Sequence, residues 1–398
     1  VTDRERVLLT LEHKEPDRVP IDLGGLESSS MTAAAYNALK RHLGLPEGGR
    51  VFDPVQHIVL VEDEIRERFG IATYPVVSEP SAWHPGRLPD GSPCELPAGW
   101  RTLLRAGGSE EAVNAAGQVV ARRAASGHHF DVVNPPLAEV ESIADLDRHR
   151  QAIEQFDYPA FADETMDQLA ARARALRASG RAAVFNFPAH LLAAGQSLRG
   201  FDNFMADLVL NPGFVEALLT RLVDAYCERA TAQLDALQGL VDVIAVCDDL
   251  GTQIGPMLSP GLYRKTIKPH QERLFAHLKS RCRYLLLHSC GSVRWAIPDL
   301  IELGVNALNP VQVSAAGMET AGLKQDFGSE LAFWGGGCDT QQVLNRGSEA
   351  EVREEVRRRI GDLAPGGGFV FCQVHNIQPE VPPQNVVTML EAATEFGG

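Results

Sequence analysis

From about residue 180 the chain consists of short apolar runs, each closing on polar or glycine residues and each followed by a segment of helical spacing. The runs are "AAVFNFP", "VDVIAVCDD", "YLLLHSCG", "NALNPVQ", "LAFWGGGCD" and "GGFVFCQVHNI"; the helical segments include "GLYRKTIKPHQERLFAHLKS", "VRWAIPDLIELG" and "EAEVREEVRRRIGDLA". Strand alternating with helix calls for a parallel sheet, closed either as an open doubly wound sheet or as a (β/α)8 barrel. Five successive strand ends carry reactive side chains: Asp248 and Asp249, His288 and Cys290, Gln312, Cys338 and Asp339, then Cys372 and His375. An open sheet gathers its useful ends at one switch point, whereas a barrel opens every carboxyl end onto one cavity. The sequence therefore predicts an α/β fold of the (β/α)8 TIM-barrel type.

Ahead of these repeats the chain has a different character. "MTAAAYNALKRHLG" and "LVEDEIRERFG" have helical spacing, whereas "PSAWHPGRLPDGSPCELPAGW" is rich in proline and glycine and predicts short strands and turns. At 398 residues, with no repeat and no low-complexity linker, the expectation is a single barrel domain over 1–398. In it, 1–135 form N-terminal helices and a strand-and-turn decoration, and 180–398 carry the clearest barrel repeats.

Charge narrows the partners. With 37 basic and 52 acidic residues the net charge is −15, which opposes non-specific attachment to nucleic acid or to an anionic membrane. No run of roughly 18 apolar residues occurs, and the opening "VTDRERVLLTLEHKEPDRVP" is charged throughout, so a cytoplasmic protein is expected. Seven cysteines scattered over a long chain do not form a disulfide framework. Cys94, Cys282, Cys227 and Cys247 read as structural thiols, and the alternating charges of "EVREEVRRRI" read as a solvated helix face.

Side chains alternate faces along a strand, so Leu286, His288 and Cys290 share one face at the end of "YLLLHSCG". Imidazole nitrogen and thiolate sulfur suit zinc, and a catalytic zinc takes three protein ligands while keeping one position open. Cys372 or His375, three positions apart on the last strand, is the candidate third ligand, with Cys338 after "WGGG" as a further source. Asp248, Asp249 and His375 are the candidate acid–base or substrate-anchoring groups. Gln253, Gln312 and Asp339 are the candidate substrate contacts.

Motifs spread over nearly the whole length resemble the uroporphyrinogen decarboxylase superfamily, and within it the cobalamin-dependent methyltransferase-like branch. They are "RERVLLTLEHKEPDRVPIDLGG", "CDDLGTQIGPMLSPGLYRKTIKPHQERLF", "LLLHSCGSV", "NPVQVSAAGMETAGLKQDFG", "FWGGGCDTQQVL" and "VHNIQPEVPPQNVVTMLEAA". The resemblance implies a (β/α)8 barrel and either of two chemistries. Decarboxylases of this kind use amino-terminal arginines to hold a polycarboxylate, yet no arginine falls between Arg18 and Arg41 here. The methyltransferases hold zinc through a His-x-Cys pair, matched by His288 and Cys290, and a later cysteine, at whose position the resemblance places His375. That departure fits the branch resembling substrate-specific methyltransferases, including O-demethylase components. The implied reaction moves a methyl group from a small methylated substrate to the Co(I) cobalamin of a partner corrinoid protein, since no Asp-x-His-x-x-Gly segment occurs in this chain. A metal-independent lyase and a catalytically silent ligand-binding homologue are the alternatives, and the reading leaves room for a homodimer.

Overall fold

Seven strands realise the rhythm of the sequence in the computed structural model, which describes residues 1–114, 117–127, 129–156 and 163–398. They are β1 (Thr73–Val76), β2 (Ala182–Asn186), β3 (Val243–Cys247), β4 (Tyr284–His288), β5 (Ala307–Asn309), β6 (Ala332–Trp334) and β7 (Phe369–Val370). Each lies parallel to its chain neighbour, in one continuous order from β1 to β7. The eighth position is reduced to one residue. Ile21 bridges in parallel to Phe371 beyond β7 and to Ile71 before β1, which closes the sheet into a barrel. The Ala72 N–H donates to the Ile21 carbonyl and the Phe371 N–H to the Pro20 carbonyl, at 2.7 and 2.9 Å. Six of the seven strands fall on runs read from the sequence. β1 and the Ile21 bridge come instead from the amino-terminal region, where "IATYPVV" is too short to stand out.

Parity sorts the side chains into two cores. Ala182, Val184, Val243, Ala245, Leu286, Ala307, Ala332, Trp334, Val370 and Cys372 fill the barrel interior. Their strand neighbours Ala183, Phe185, Ile244, Leu285, Leu287, Phe333 and Phe369 face the surrounding helices. The amino-terminal end of the barrel is plugged by Val7 and Leu11 of helix Asp3–Leu11, which belong to the interior cluster. That helix starts in a capping box between Thr2 and Glu5. With the bottom closed and the middle filled, only the carboxyl end of the barrel remains open.

The helix read from "EAEVREEVRRRIGDLA" spans Glu349–Leu363 and is capped by Ser348 and Glu351. Its charges are not all solvated. Glu355 and Arg359 are buried, paired with each other at 2.7 Å, and Arg359 donates to Thr320 Oγ1 at 3.0 Å. The turn-rich stretch forms the hairpin Trp83–Arg87 with Pro93–Pro97 and a four-stranded antiparallel sheet from Thr102 to Val132. A small separate core holds that sheet, with Trp100 and Phe130 ring centroids 5.2 Å apart and perpendicular. Among the described residues no helix is long and apolar enough to cross a membrane.

Candidate functional site

His288 is the last residue of β4, one inward step above Leu286, and Cys290 follows where the chain leaves the sheet. Gly291, at φ +85°, turns the backbone there, and a Cβ on it would lie 2.6 Å from the Gly251 carbonyl carbon. Glycine at both positions thus lets the loops after β3 and β4 touch. In that contact the Cys290 N–H donates to Asp249 Oδ1 at 2.7 Å.

The imidazole of His288 is held from behind. Its Nδ1 lies 2.5 Å from Asn309 Oδ1 at the end of β5, and the same oxygen accepts from Ser28 Oγ at 2.8 Å. Asn309 Nδ2 donates to the Trp334 carbonyl at 2.8 Å, which fixes which end of the amide faces His288. Nδ1 must therefore carry the proton, and the Nε2 lone pair faces Cys290 Sγ, 3.3 Å away. A second-sphere acceptor on one nitrogen with the other presented outward is how metal-ligating histidines are oriented.

His375 completes the group. It stands at φ +66°, a left-handed conformation uncommon outside glycine, as the chain runs out of the barrel after β7. Its ring meets that of His288 edge-on, with centroids 5.2 Å apart. Ligand atoms of His288, Cys290 and His375 all lie within 4.8 Å of one another, as do those of Cys247, Asp249 and His288. Zinc bonds of about 2.0–2.3 Å in a tetrahedron separate donors by roughly 3.3–3.8 Å, so a modest contraction of the group would close around the ion. Burial and the neighbouring His288 press the His375 pKa down to about 4, so the ring is neutral at neutral pH, as ligation requires. Its Nδ1 accepts the Asn376 N–H at 2.8 Å, a bond the ring gives up if Nε2 is to bind an ion. Burial and Asp249 push the Cys290 thiol well up, so metal capture would have to release its proton.

The other sequence candidates lie elsewhere. Cys372 is fully buried in the barrel interior, with Sγ 3.9 Å from Asn309 Nδ2. Cys338 is fully buried in the core between sheet and helices. Asp248 turns away from the mouth: it accepts the Leu192 and Ala193 N–H groups at 2.9 and 3.3 Å, capping helix Leu192–Arg199, and Gln271 Nε2 at 3.2 Å. Burial pushes its pKa up to about 7 despite those donors. Gln312 accepts the Gly291 N–H at 2.8 Å and donates to Gln253, which donates to the Ser314 carbonyl; both glutamines brace loops. Asp339 is buried and accepts the Gln341 N–H at 2.9 Å.

A chamber of about 270 Å³ opens beside His288 and His375, with Asp249, Cys247, Glu27 and Ser28 also in its wall. A larger cavity of about 960 Å³ adjoins it, sharing the walls Glu27, Gln56, Asn186, Pro188 and His190. No lysine or arginine lines the inner chamber among the described residues. Cys247, read from the sequence as core, is the inward end of β3 and faces this space. His190 escaped the sequence reading. Its Nδ1 lies 3.1 Å from the Cys247 carbonyl, which can only accept, so Nε2 is left as the other, lone-pair nitrogen. The rule applied to the other strand ends would have found Asn186, within "AAVFNFP", and His190, two residues after it. Glu27 and Gln56 carry no such signal, because they stand on turns.

Residues 132–396, well over half of the chain, match the model of the family described as uroporphyrinogen decarboxylase (URO-D). A uroporphyrinogen decarboxylase of Thermus thermophilus is 27% identical over 223 residues, which cover 54% of this chain and 58% of that one. The chain thus spans little more than half the length of that curated relative. A uroporphyrinogen decarboxylase of Pseudomonas fluorescens is 24% identical over 71% of this chain and 75% of its own. Among solved structures, a methyltransferase from Methanosarcina mazei superposes with a TM-score of 0.62 at 17% identity, covering 100% of this chain and 99% of that one, a likeness of fold. From the match over 132–396, this chain belongs to the uroporphyrinogen decarboxylase family.

Proposed function

We propose that this chain is a methyltransferase that moves a methyl group from a small methylated compound, of the methoxyaromatic kind, to the Co(I) corrinoid of a partner protein. The observation carrying the reading is the convergence of His288, Cys290 and His375 within 4.8 Å of one another, with His288 and His375 in the wall of the inner chamber. These donors fit zinc, with two imidazoles and one thiolate as ligands and His375 in preference to the interior Cys372. Bound there, zinc would supply Lewis acidity to the heteroatom that leaves the methyl group. The chain's own residues do the rest. Asn309 fixes the His288 ring, and Asp249 fixes the Cys290 backbone. The same shape favours the M. mazei neighbour's named activity over that of the decarboxylase relatives. Among the described residues the inner chamber has no lysine or arginine in its wall, so it offers a polycarboxylate no cationic partner.

The test is zinc content per chain in the wild type, in His288→Ala combined with Cys290→Ser, in His375→Ala and in Cys372→Ser. Loss of the metal is expected in the first two variants and retention in Cys372→Ser, and full zinc in the double variant refutes the site. Methylcobalamin formation across a panel of methoxyaromatic and methylamine donors tests the activity; carbon dioxide release from a carboxylated substrate, unaffected by chelator, would favour the lyase instead.

A further inference from the structure

We propose that His190 accepts a hydrogen bond from the methyl donor, and hence that the donor is a small aryl methyl ether bearing a free O–H or N–H group. The inference rests on the methyltransferase reading above and names a residue and a class of compound which that reading leaves open.

His190 stands on the loop between β2 and helix Leu192–Arg199, half-buried, and the protein holds its ring in one state. The Cys247 N–H donates to the Ala189 carbonyl at 3.3 Å, and the Tyr226 hydroxyl donates to the His190 carbonyl at 3.1 Å. Nδ1 lies 3.1 Å from the Cys247 carbonyl, which can only accept, so Nδ1 carries the proton and Nε2 the lone pair. Burial lowers the pKa of the ring, which keeps it neutral at neutral pH. Among the described residues Nε2 has no hydrogen-bond partner.

Around that lone pair the wall's own donors are mostly taken. Asn186 spends both amide protons, on the Gly25 and Val184 carbonyls at 2.9 and 3.3 Å. Gln56 Nε2 donates to Glu27 Oε1 and to Asp53 Oδ2, both at 3.2 Å. Ser28 gives its proton to Asn309 Oδ1, and Asn376 Nδ2 donates to the Glu27 carbonyl at 2.6 Å. With no lysine or arginine in the inner chamber among the described residues, a ligand that can only accept finds little to bind. Asp249 already accepts the Cys290 N–H and stands within the metal-donor group, whereas His190 offers an acceptor clear of that group. A wall with spent donors and a free acceptor selects a ligand that donates, because a ligand without an O–H or N–H leaves the acceptor unpaired.

The place of His190 suits a ligand longer than the inner chamber. At about 270 Å³ that chamber falls below the roughly 300–1,000 Å³ of small-molecule pockets, so the part of the donor beyond its methyl group extends into the outer cavity. His190 belongs to the wall of both spaces. Phe52 and Phe201 line the outer cavity and offer apolar faces to an aromatic ring. A methyl group beside His288 and His375 and a ring in the outer cavity bring the substituents of the ring past His190.

Calorimetric titration of the full chain tests this, with hydroxyl-bearing methoxybenzenes, amino-bearing methoxybenzenes and dimethoxybenzene as probes. The hydroxyl or the amino compounds are expected to bind about five- to a hundredfold more tightly than dimethoxybenzene, and the tighter arm tells O–H from N–H. His190→Asn keeps a donor for the Cys247 carbonyl but has no atom at the place of Nε2. It is expected to lose that preference while binding dimethoxybenzene as the wild type does. His190→Gln, which can return an oxygen to that place, is expected to restore part of the preference. A preference that survives in His190→Asn, or a wild type that binds every probe alike or none, overturns the proposal. Methylcobalamin formation separates it from the reading beneath it. A preference that depends on His190, without methyl transfer from any donor, overturns the methyltransferase reading but not the acceptor; methyl transfer without the preference overturns the role of His190 alone.

Discussion

Asn309→Ala tests how the metal-donor group is organised without touching a ligand. Besides the long contact to Cys372, the Asn309 amide makes three short bonds: Oδ1 to His288 Nδ1 at 2.5 Å, Oδ1 to Ser28 Oγ at 2.8 Å, and Nδ2 to the Trp334 carbonyl at 2.8 Å. Removing the acceptor behind a metal-bound histidine typically weakens affinity 10–100-fold, which corresponds to about 1.4–2.7 kcal/mol. The substitution also takes a donor from the buried Trp334 carbonyl, a loss worth about 1–3 kcal/mol of stability. Both effects are separable. Zinc affinity is read by competition with a chromogenic chelator at one fixed pH, because the ligands must shed protons to bind. Stability is read by urea unfolding of the metal-free protein. Asn309→Asp keeps an acceptor at Nδ1 and is expected to keep most of the affinity while losing the bond to Trp334. Ser28→Ala leaves the His288 contact whole and is expected to bind zinc as the wild type does. An Asn309→Ala protein that folds and binds zinc with wild-type affinity refutes the orientation argument.

Further outcomes follow from other parts of the molecule. Leu286, fully buried in the barrel interior, should cost about 2–5 kcal/mol on truncation to alanine, measured by denaturant unfolding. Gly291→Ala places a Cβ at φ +85° and 2.6 Å from Gly251, so the two loops must part; faster release of metal to a chelator is the expected result, and an unchanged rate argues against the loop contact as the support of Cys290. Asp248 has a folded pKa raised to about 7 by burial, so its contribution to stability is fully present below its ordinary value and is lost as pH rises through about 7. Asp248→Asn keeps an oxygen for the Leu192 N–H but does not titrate; the wild type is expected to gain stability relative to this variant on going from about pH 8 to about pH 5. Parallel stability profiles for the two proteins would refute that linkage.

What the sequence disclosed and what it hid follow from one physical distinction. Strand parity is a period of two, and it is visible in any apolar run long enough to show it. Six barrel strands and the inward facing of Leu286 and His288 come from that period. Ile21 contributes a single bridge, and β1 stands in the amino-terminal region before any rhythm is set, so neither shows as a repeat. The amino-terminal turn that brings Glu27 and Ser28 over the mouth is likewise aperiodic, and its neighbours lie up to 349 residues away, as with Asn376. The choice between the two candidate third ligands belongs with these. Parity sends Cys372 into the apolar interior, where burial holds its thiol protonated. One step past the ladder the period no longer applies, and the direction of His375 is set by its left-handed backbone. The two residues are three apart in sequence but belong to different regimes, one governed by the strand and one by the turn that ends it. This is why a reading of strand faces alone leaves both open, while the fold gathers His375 to the wall that already holds His288 and Cys290.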